Sequence, residues 1–140
     1  YLFGSRDSGE LQAEEQQLAH ALARLLGDLG IPEAIVWKKI SRVCFITLFS
    51  LGVAHWKIPI NDASWGYLWM WAENQVLAAI KLVPIGQTSG QKILSSAIEI
   101  IPELVSTGLS LKDEDIGYTA PGQGIASALH ETQYTRLFRS

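Results

Sequence analysis

Residues 63–83, ASWGYLWMWAENQVLAAIKLV, decide the fold. Trp65, Leu68, Trp69, Ala72, Val76, Ala79, Ile80 and Val83 recur at steps of three and four, the repeat of one helical face. Tyr67, Met70, Trp71 and Leu77 line another side of the same helix. A helix apolar nearly all round belongs at the centre of a bundle or in an interface between subunits. Glu73, Asn74, Gln75 and Lys81 interrupt the apolar run. They argue against a bilayer span and for a soluble helix. Glu73 and Lys81 are two turns apart, too far to pair along one helix. Each polar group therefore needs a partner from elsewhere, either a buried network that fixes register or a polar interface to another protein.

Working outward, Lys57 to Ile60 is a break marked by Pro59, and Asn61 or Asp62 can cap the next helix. Before the break, a helix is expected from about Pro32 to Ala54, with Ile40, Val43, Thr47, Leu51 and Ala54 along one heavily buried face. The chain opens on another helix near Asp7, where Asp7 and Glu10 resemble a capping box. Glu10, Glu14 and Glu15 crowd its early turns, where the helix dipole favours them. Its stripe is Leu11, Leu18, Leu22, Leu25 and Leu29, and Gly27, Gly30 and Pro32 end it.

After residue 83, Pro84 and Gly86 interrupt the chain and a fourth helix starts near Gln87. Its stripe is Ile93, Leu94, Ala97, Ile98, Ile101, Leu104 and Val105, and Pro102 should kink or split it. Thr107 to Gln123 reads as loop, Ile125 to Leu129 as a last short helix, and His130 to Ser140 as a polar, basic tail with interleaved aromatics. No strand alternation and no internal repeat is present. The expected class is all-α: a bundle of four or five helices in one domain over 1–140, with a tail over 130–140.

Bulk properties agree with that class. The 140 residues suit one domain, and 48% hydrophobic with 18% charged residues describes a chain that folds. The net charge of -3 gives no broad attraction for nucleic acid or anionic lipid. Val43 to Ala54 is too short to span a bilayer, and the polar N-terminus reads as no signal peptide. Cys44 is the only cysteine, so no internal disulfide forms, which fits a reducing compartment.

The chemistry-bearing motifs are sparse. Gly86 to Lys92, GQTSGQK, looks at first like a phosphate loop. Three residues rather than four separate Gly86 from Gly90, Gln91 intervenes before Lys92, and Ile93 stands where Ser or Thr should bind magnesium. A helix–helix junction whose glycines permit close packing is the better reading. His20, His55 and His130 lack second ligands at zinc-site spacing, although Glu131 adjoins His130. Cys44, set among Val43, Phe45 and Ile46, is placed to be inert. In the tail, Tyr134, Arg136, Phe138 and Arg139 are residue types that anchor interfaces.

Three stretches carry a resemblance to the urease accessory protein F family: residues 71–94, WAENQVLAAIKLVPIGQTSGQKIL; residues 115–117, DIG; and residues 130–140, HETQYTRLFRS. Weaker similarity runs through Ser5, Arg6 and Asp7 and the first helix. The resemblance implies an all-helical, usually dimeric, cytoplasmic protein that is not itself an enzyme. It implies a complex with accessory protein D (or H), then with the GTP-binding accessory protein G, acting on apo-urease so that nickel reaches its active site. No stably bound cofactor is implied, because nickel is handled by the complex. Lys81, Pro84, Gly86, Gln87, Gly90 and Gln91 match the family's central motif. His130, Glu131, Thr132, Gln133, Tyr134, Arg136, Leu137, Phe138, Arg139 and Ser140 match its C-terminal motif, which contacts the D or H partner. No metal site is expected within the chain, His130 being the one candidate for a nickel contact across a subunit interface. The family's N-terminal helical region, with its Pro-Gly-Gly-rich stretch, is not in this sequence. Two other classes compete: a generic helical interaction module, and a metal- or nucleotide-dependent enzyme built on His130 and the Gly86 loop. Binding or turnover of GTP would mark the enzyme, and a mass shift with proteins D and G would mark the scaffold.

Overall fold

The computed structural model describes residues 2–117 and 120–134, and the expected tail beyond Tyr134 lies outside them. The all-α class holds. Five α-helices and two 3₁₀ segments make up the described residues, with no strand among them. The helices are α1 (Gly9–Asp28), α2 (Phe45–His55), α3 (Ile60–Leu82), α4 (Gln87–Ser110) and α5 (Pro121–Glu131). The 3₁₀ segments are Pro32–Lys39 and Asp113–Asp115. They group into two compact units: α1, the first 3₁₀ segment, α2 and α5 in one, and α3 with α4 in the other.

In the first unit, the cap of α1 is Ser8 rather than Asp7. The Ser8 hydroxyl accepts the Leu11 N–H at 3.2 Å and satisfies one donor of the first turn. At the other end Gly30 takes φ +90, the Gly30 N–H donates to the Gly27 carbonyl and the Ile31 N–H to the Leu26 carbonyl. That is a Schellman stop, and its accompanying apolar contact is present because Leu26 and Ile31 are both buried in one cluster. The leucine stripe does not hold. Ala19, Ala23 and Leu26 are the buried face of α1, with Leu22 partly buried against them, whereas Leu18, Leu25 and Leu29 are about half exposed. Small residues win the interior position because α2 approaches closely: a Cβ on Gly52 would sit 3.4 Å from Leu26 and 3.1 Å from Trp56. Val43, Leu48, Ile31 and Ala34 complete this core. Burying a side chain such as Leu48 contributes about 1.5–3 kcal/mol.

The single helix expected over Pro32 to Ala54 is two elements. Pro32 starts a 3₁₀ segment that ends at Lys39, Arg42 turns left-handed at φ 60, and α2 begins at Phe45. Ile40 is exposed, not part of a buried face. The stretch contains the β-branched Ile35, Val36, Ile40 and Val43, which weaken helix continuation. A remote group also supplies the new start: the Glu15 carboxylate on α1 accepts the Phe45 N–H at 2.7 Å.

In the second unit, α3 and α4 lie along each other as an antiparallel pair joined by a short connection through Pro84 and Gly86. Helix α3 begins at Ile60, so Asn61 and Asp62 lie within its first turn instead of capping it. Ala63 and Val76 are its buried residues. Trp71 and Leu77 are exposed, so of the two expected placements, central or in a subunit interface, α3 does not take the central one within this unit. Glu73, Asn74, Gln75 and Lys81 are exposed too, so of the two alternatives read from the sequence these residues do not form the buried network. Trp65 and Trp69 stack at 6.0 Å with their rings 15° apart.

Helix α4 starts where expected, and its buried residues are Gly90, Leu94, Ile101 and Val105, while Ile93, Ile98 and Leu104 are exposed. It runs unbroken past Pro102 and on to Ser110, further than the loop expected from Thr107. Within its 24 residues an 18-residue window has a mean hydropathy of 1.2, which would suffice by length and composition to cross a membrane. Glu99 and Glu103 lie on it, and its buried stripe packs on α3.

Candidate partner-binding site

The central motif falls at the α3–α4 connection, and its residues divide by role. Lys81 is exposed in the last turn of α3, Pro84 is exposed in the connection, and Gly86 is the exposed residue preceding α4. Gln87 and Gln91 are exposed on the first turns of α4. Gly90 is buried, and a Cβ there would lie 2.5 Å from Ile80 Cδ1 and 3.2 Å from Val76 Cγ1. Nothing lies within 4 Å of a Cβ built on Gly86. The close-packing reading of the junction therefore holds for Gly90 and not for Gly86. What remains outward is a polar edge of Lys81, Gln87 and Gln91.

The C-terminal motif is placed differently from expectation at its first two residues. Helix α5 starts at Pro121, four residues before the expected Ile125, and runs through Glu131. Pro121 suits a first helical position because its missing N–H would be unsatisfied there anyway. His130 and Glu131 thus belong to a helix, not to a tail, and both engage the start of α1. His130 Nδ1 lies 2.6 Å from Glu10 Oε2. Glu131 Oε1 accepts the Glu10 backbone N–H at 3.0 Å. One turn earlier, the Ser127 and Ser8 hydroxyls are 2.6 Å apart, and Gly124 leaves room for Asp7, to which its Cβ would come within 3.1 Å. Thr132 and Gln133 close the helix end, with the Thr132 hydroxyl donating to the Leu129 carbonyl at 2.9 Å. Tyr134 is fully exposed. Arg136, Leu137, Phe138, Arg139 and Ser140 lie outside the described residues.

The remaining candidates have local roles. His20 Nε2 is 3.0 Å from the Ile40 carbonyl, and the His55 ring meets Trp56 edge-on at 5.9 Å. Cys44 is buried ahead of α2; burial pushes its thiol up from the usual value, and the Glu15 carboxylate adds to that. Among the described residues no group of three or more His, Cys, Asp or Glu side chains is arranged to hold a metal ion. Sequence reasoning missed Glu15. Its Oε1 receives the Phe45 N–H, and its Oε2 pairs with Arg6 at 2.7 Å. Its only sequence signal was an acidic residue in the second turn of a helix, where many acids serve the dipole alone.

The arrangement offers exposed edges and ends of helices. Comparison with known proteins gives these edges a family. The family model described as UreF matches residues 1–98. A urease accessory protein UreF from Alkalilimnicola ehrlichii is 50% identical over all of this chain and 61% of its own length. One from Hahella chejuensis is 41% identical over all of this chain and 63% of its own length. A protein named urease accessory protein UreF 2, from Brucella anthropi, is 42% identical over all of this chain and 62% of its own length. The chain thus spans about three-fifths of the length of the curated relatives it matches. No solved structure matches it. Each relative is named as an accessory protein to an enzyme, not as an enzyme, and on the matched family and these identities the chain belongs to the urease accessory protein UreF family.

Proposed function

We propose that this chain is part of a scaffold in the complex that inserts nickel into apo-urease. It bridges the accessory protein D (or H) and the GTP-binding accessory protein G. The observation that carries the reading is the 50% identity, over all of this chain and 61% of the relative, with a protein named urease accessory protein UreF. The exposed edge of Lys81, Gln87 and Gln91 and the C-terminal segment from Tyr134 are the two candidate docking regions. Arg136, Leu137, Phe138, Arg139 and Ser140 extend the second of these. Exposed apolar side chains on α3 and α4, including Trp71, Leu77, Ile93 and Leu104, suit a protein whose faces are completed by other chains, a second copy among them. Nickel passes through the complex as cargo and is not held as a cofactor by this chain. The reading places the protein in the cytoplasm.

Mixing the complete protein with accessory proteins D and G should give a complex of larger mass in sedimentation, and that complex should raise the activity of apo-urease supplied with nickel. A mass that does not change with either partner would refute the scaffold. Clear micromolar binding of GTP to the complete protein by itself would favour an enzyme over a scaffold.

A further inference from the structure

We propose that His130 and Glu131 are positioning residues: they latch α5 to the start of α1 and so fix the point from which the C-terminal segment leaves, instead of touching the partner themselves. The inference rests on the proposed docking of this segment on protein D or H. It begins with the needs of α1. The first-turn N–H groups of a helix have no partner inside the helix. Ser8 supplies one acceptor, for Leu11. The N–H of Glu10 is satisfied from the far end of the chain by Glu131, at 3.0 Å. A carboxylate at that place is also favoured by the helix dipole. Glu10 then turns its own side chain to His130, Oε2 to Nδ1 at 2.6 Å, so Glu10 is held twice, by Glu131 at its backbone and by His130 at its carboxylate.

The latch is what seats α5. The helix has no buried residue, and Ile125 and Leu129 are 63% and 64% exposed. Its contacts with α1 are polar: Ser127 on Ser8, His130 on Glu10 and Glu131 on the Glu10 N–H. Gly9 sits against the same carboxylate, where a Cβ would come within 3.3 Å of Glu131 Oε1. A helix held by a few polar contacts, with none of its own residues buried, opens more readily than the core. Beyond Glu131, Thr132 and Gln133 remain bonded to the helix end, and Tyr134 is the next residue with its side chain fully exposed. His130 Nδ1 and Glu131 Oε1 are engaged by α1, which leaves partner contact to the motif from Tyr134 on.

A double-mutant cycle separates a latch from a direct contact, because Glu10 can be changed without altering the C-terminal motif. Affinity of the complete protein for protein D or H is measured by titration calorimetry for Glu10→Ala, His130→Ala and the double variant. Hydrogen exchange of the α5 amides is measured in parallel. The latch predicts that each single change weakens binding by about three- to tenfold, through the fraction of molecules whose α5 stays seated. The double variant is then no weaker than the weaker single, and α5 exchanges faster in all three. Direct contact by His130 predicts that Glu10→Ala leaves affinity unchanged, or that the two losses add; either result overturns the latch. Truncation after Gln133 tests the underlying reading. If affinity survives truncation, the docking segment is wrong and the latch has nothing to present. If truncation abolishes binding while the cycle is additive, the latch alone is wrong.

Discussion

Gly90→Ala should destabilise the α3–α4 pair even though alanine is the better helix former. Within a helix the exchange of glycine for alanine favours folding by about 1 kcal/mol. Against this stands the space. The added methyl would lie 2.5 Å from Ile80 Cδ1, 3.2 Å from Ile80 Cγ1 and 3.2 Å from Val76 Cγ1. The Ile80 terminus can swing aside, but its Cγ1 and the Val76 branch are stiff on a helix, so the helices must separate by a few tenths of an ångström. Overpacking of this kind costs about 1–3 kcal/mol, which leaves Gly90→Ala a net loss of about 1 kcal/mol. Gly90→Val adds further methyl bulk and loses propensity, and should cost about 3 kcal/mol.

Urea denaturation of the complete protein reads these differences. Gly108→Ala is the control on the same helix, because nothing lies within 4 Å of its built Cβ. It should stabilise by about 0.5–1 kcal/mol. Ile80→Ala removes both Ile80 atoms that the new methyl would meet, and in that background the Gly90→Ala loss should largely disappear, a coupling of about 1 kcal/mol. A stabilising Gly90→Ala, or an undiminished loss in the Ile80→Ala background, would show that Gly90 is not there for packing. The steric account of this motif residue would then be abandoned.

Glu15→Ala removes the acceptor for the Phe45 N–H and the partner of Arg6, and should cost about 2 kcal/mol, most of it from the lost helix start because Arg6 is partly exposed; faster hydrogen exchange at Phe45 checks the assignment. Cys44 should react with a disulfide reagent at pH 7 far more slowly than free cysteine, since burial holds its thiol protonated, and at the free rate once unfolded. Because that folded thiol ionises above its usual value near 9.0, the unfolded chain loses its proton first, and this contribution to stability falls as pH rises through that value. A stability curve flat across that range in the native protein and falling in a Cys44→Ala variant would refute the assignment. With the docking segment truncated after Gln133, circular dichroism should retain the helices while binding to protein D or H is lost, and Phe138→Ala and Arg139→Ala should weaken it strongly where Thr135→Ala does so weakly. The 140-residue chain alone should self-associate in sedimentation, given exposed Trp71, Leu77, Ile93 and Leu104.

How much could be read from the sequence depends on the range of the interactions. The helical class, the start of α4 after Gly86 and the stop of α1 at Gly27 and Gly30 rest on neighbours within a few residues, and all three hold. The buried face of α1 was not legible. A leucine stripe and an Ala19, Ala23, Leu26 stripe share the same period, and only the approach of α2 at Gly52 decides between them. The break before Phe45 and the full length of α5 were missed for a related reason. Glu15 acts across 30 residues and Glu131 across 121, so no local pattern announces either. The exposed motif residues Lys81, Gln87 and Gln91 were recognisable only through resemblance, since nothing in their spacing demands a ligand.

These remote carboxylates explain how the first unit can leave so much apolar surface open. Helix α2 has no side-chain cap from the residue before it, and Glu15 provides one from α1. Helix α1 has Ser8, and Glu131 from α5 adds a second acceptor. Polar bonds at helix ends fix axial register with short-range directional geometry, whereas an apolar face fixes it only by packing against something. A chain that sets its register at the ends can keep Leu18, Leu25 and Leu29 on α1 and Ile125 and Leu129 on α5 outside its own core. If the chain acts in the proposed scaffold, those faces are then available without the fold depending on their being covered. The cost is concentrated in a few bonds, so Glu10, Glu15 and Glu131, rather than the leucines, are the positions where a single substitution should disturb the first unit most.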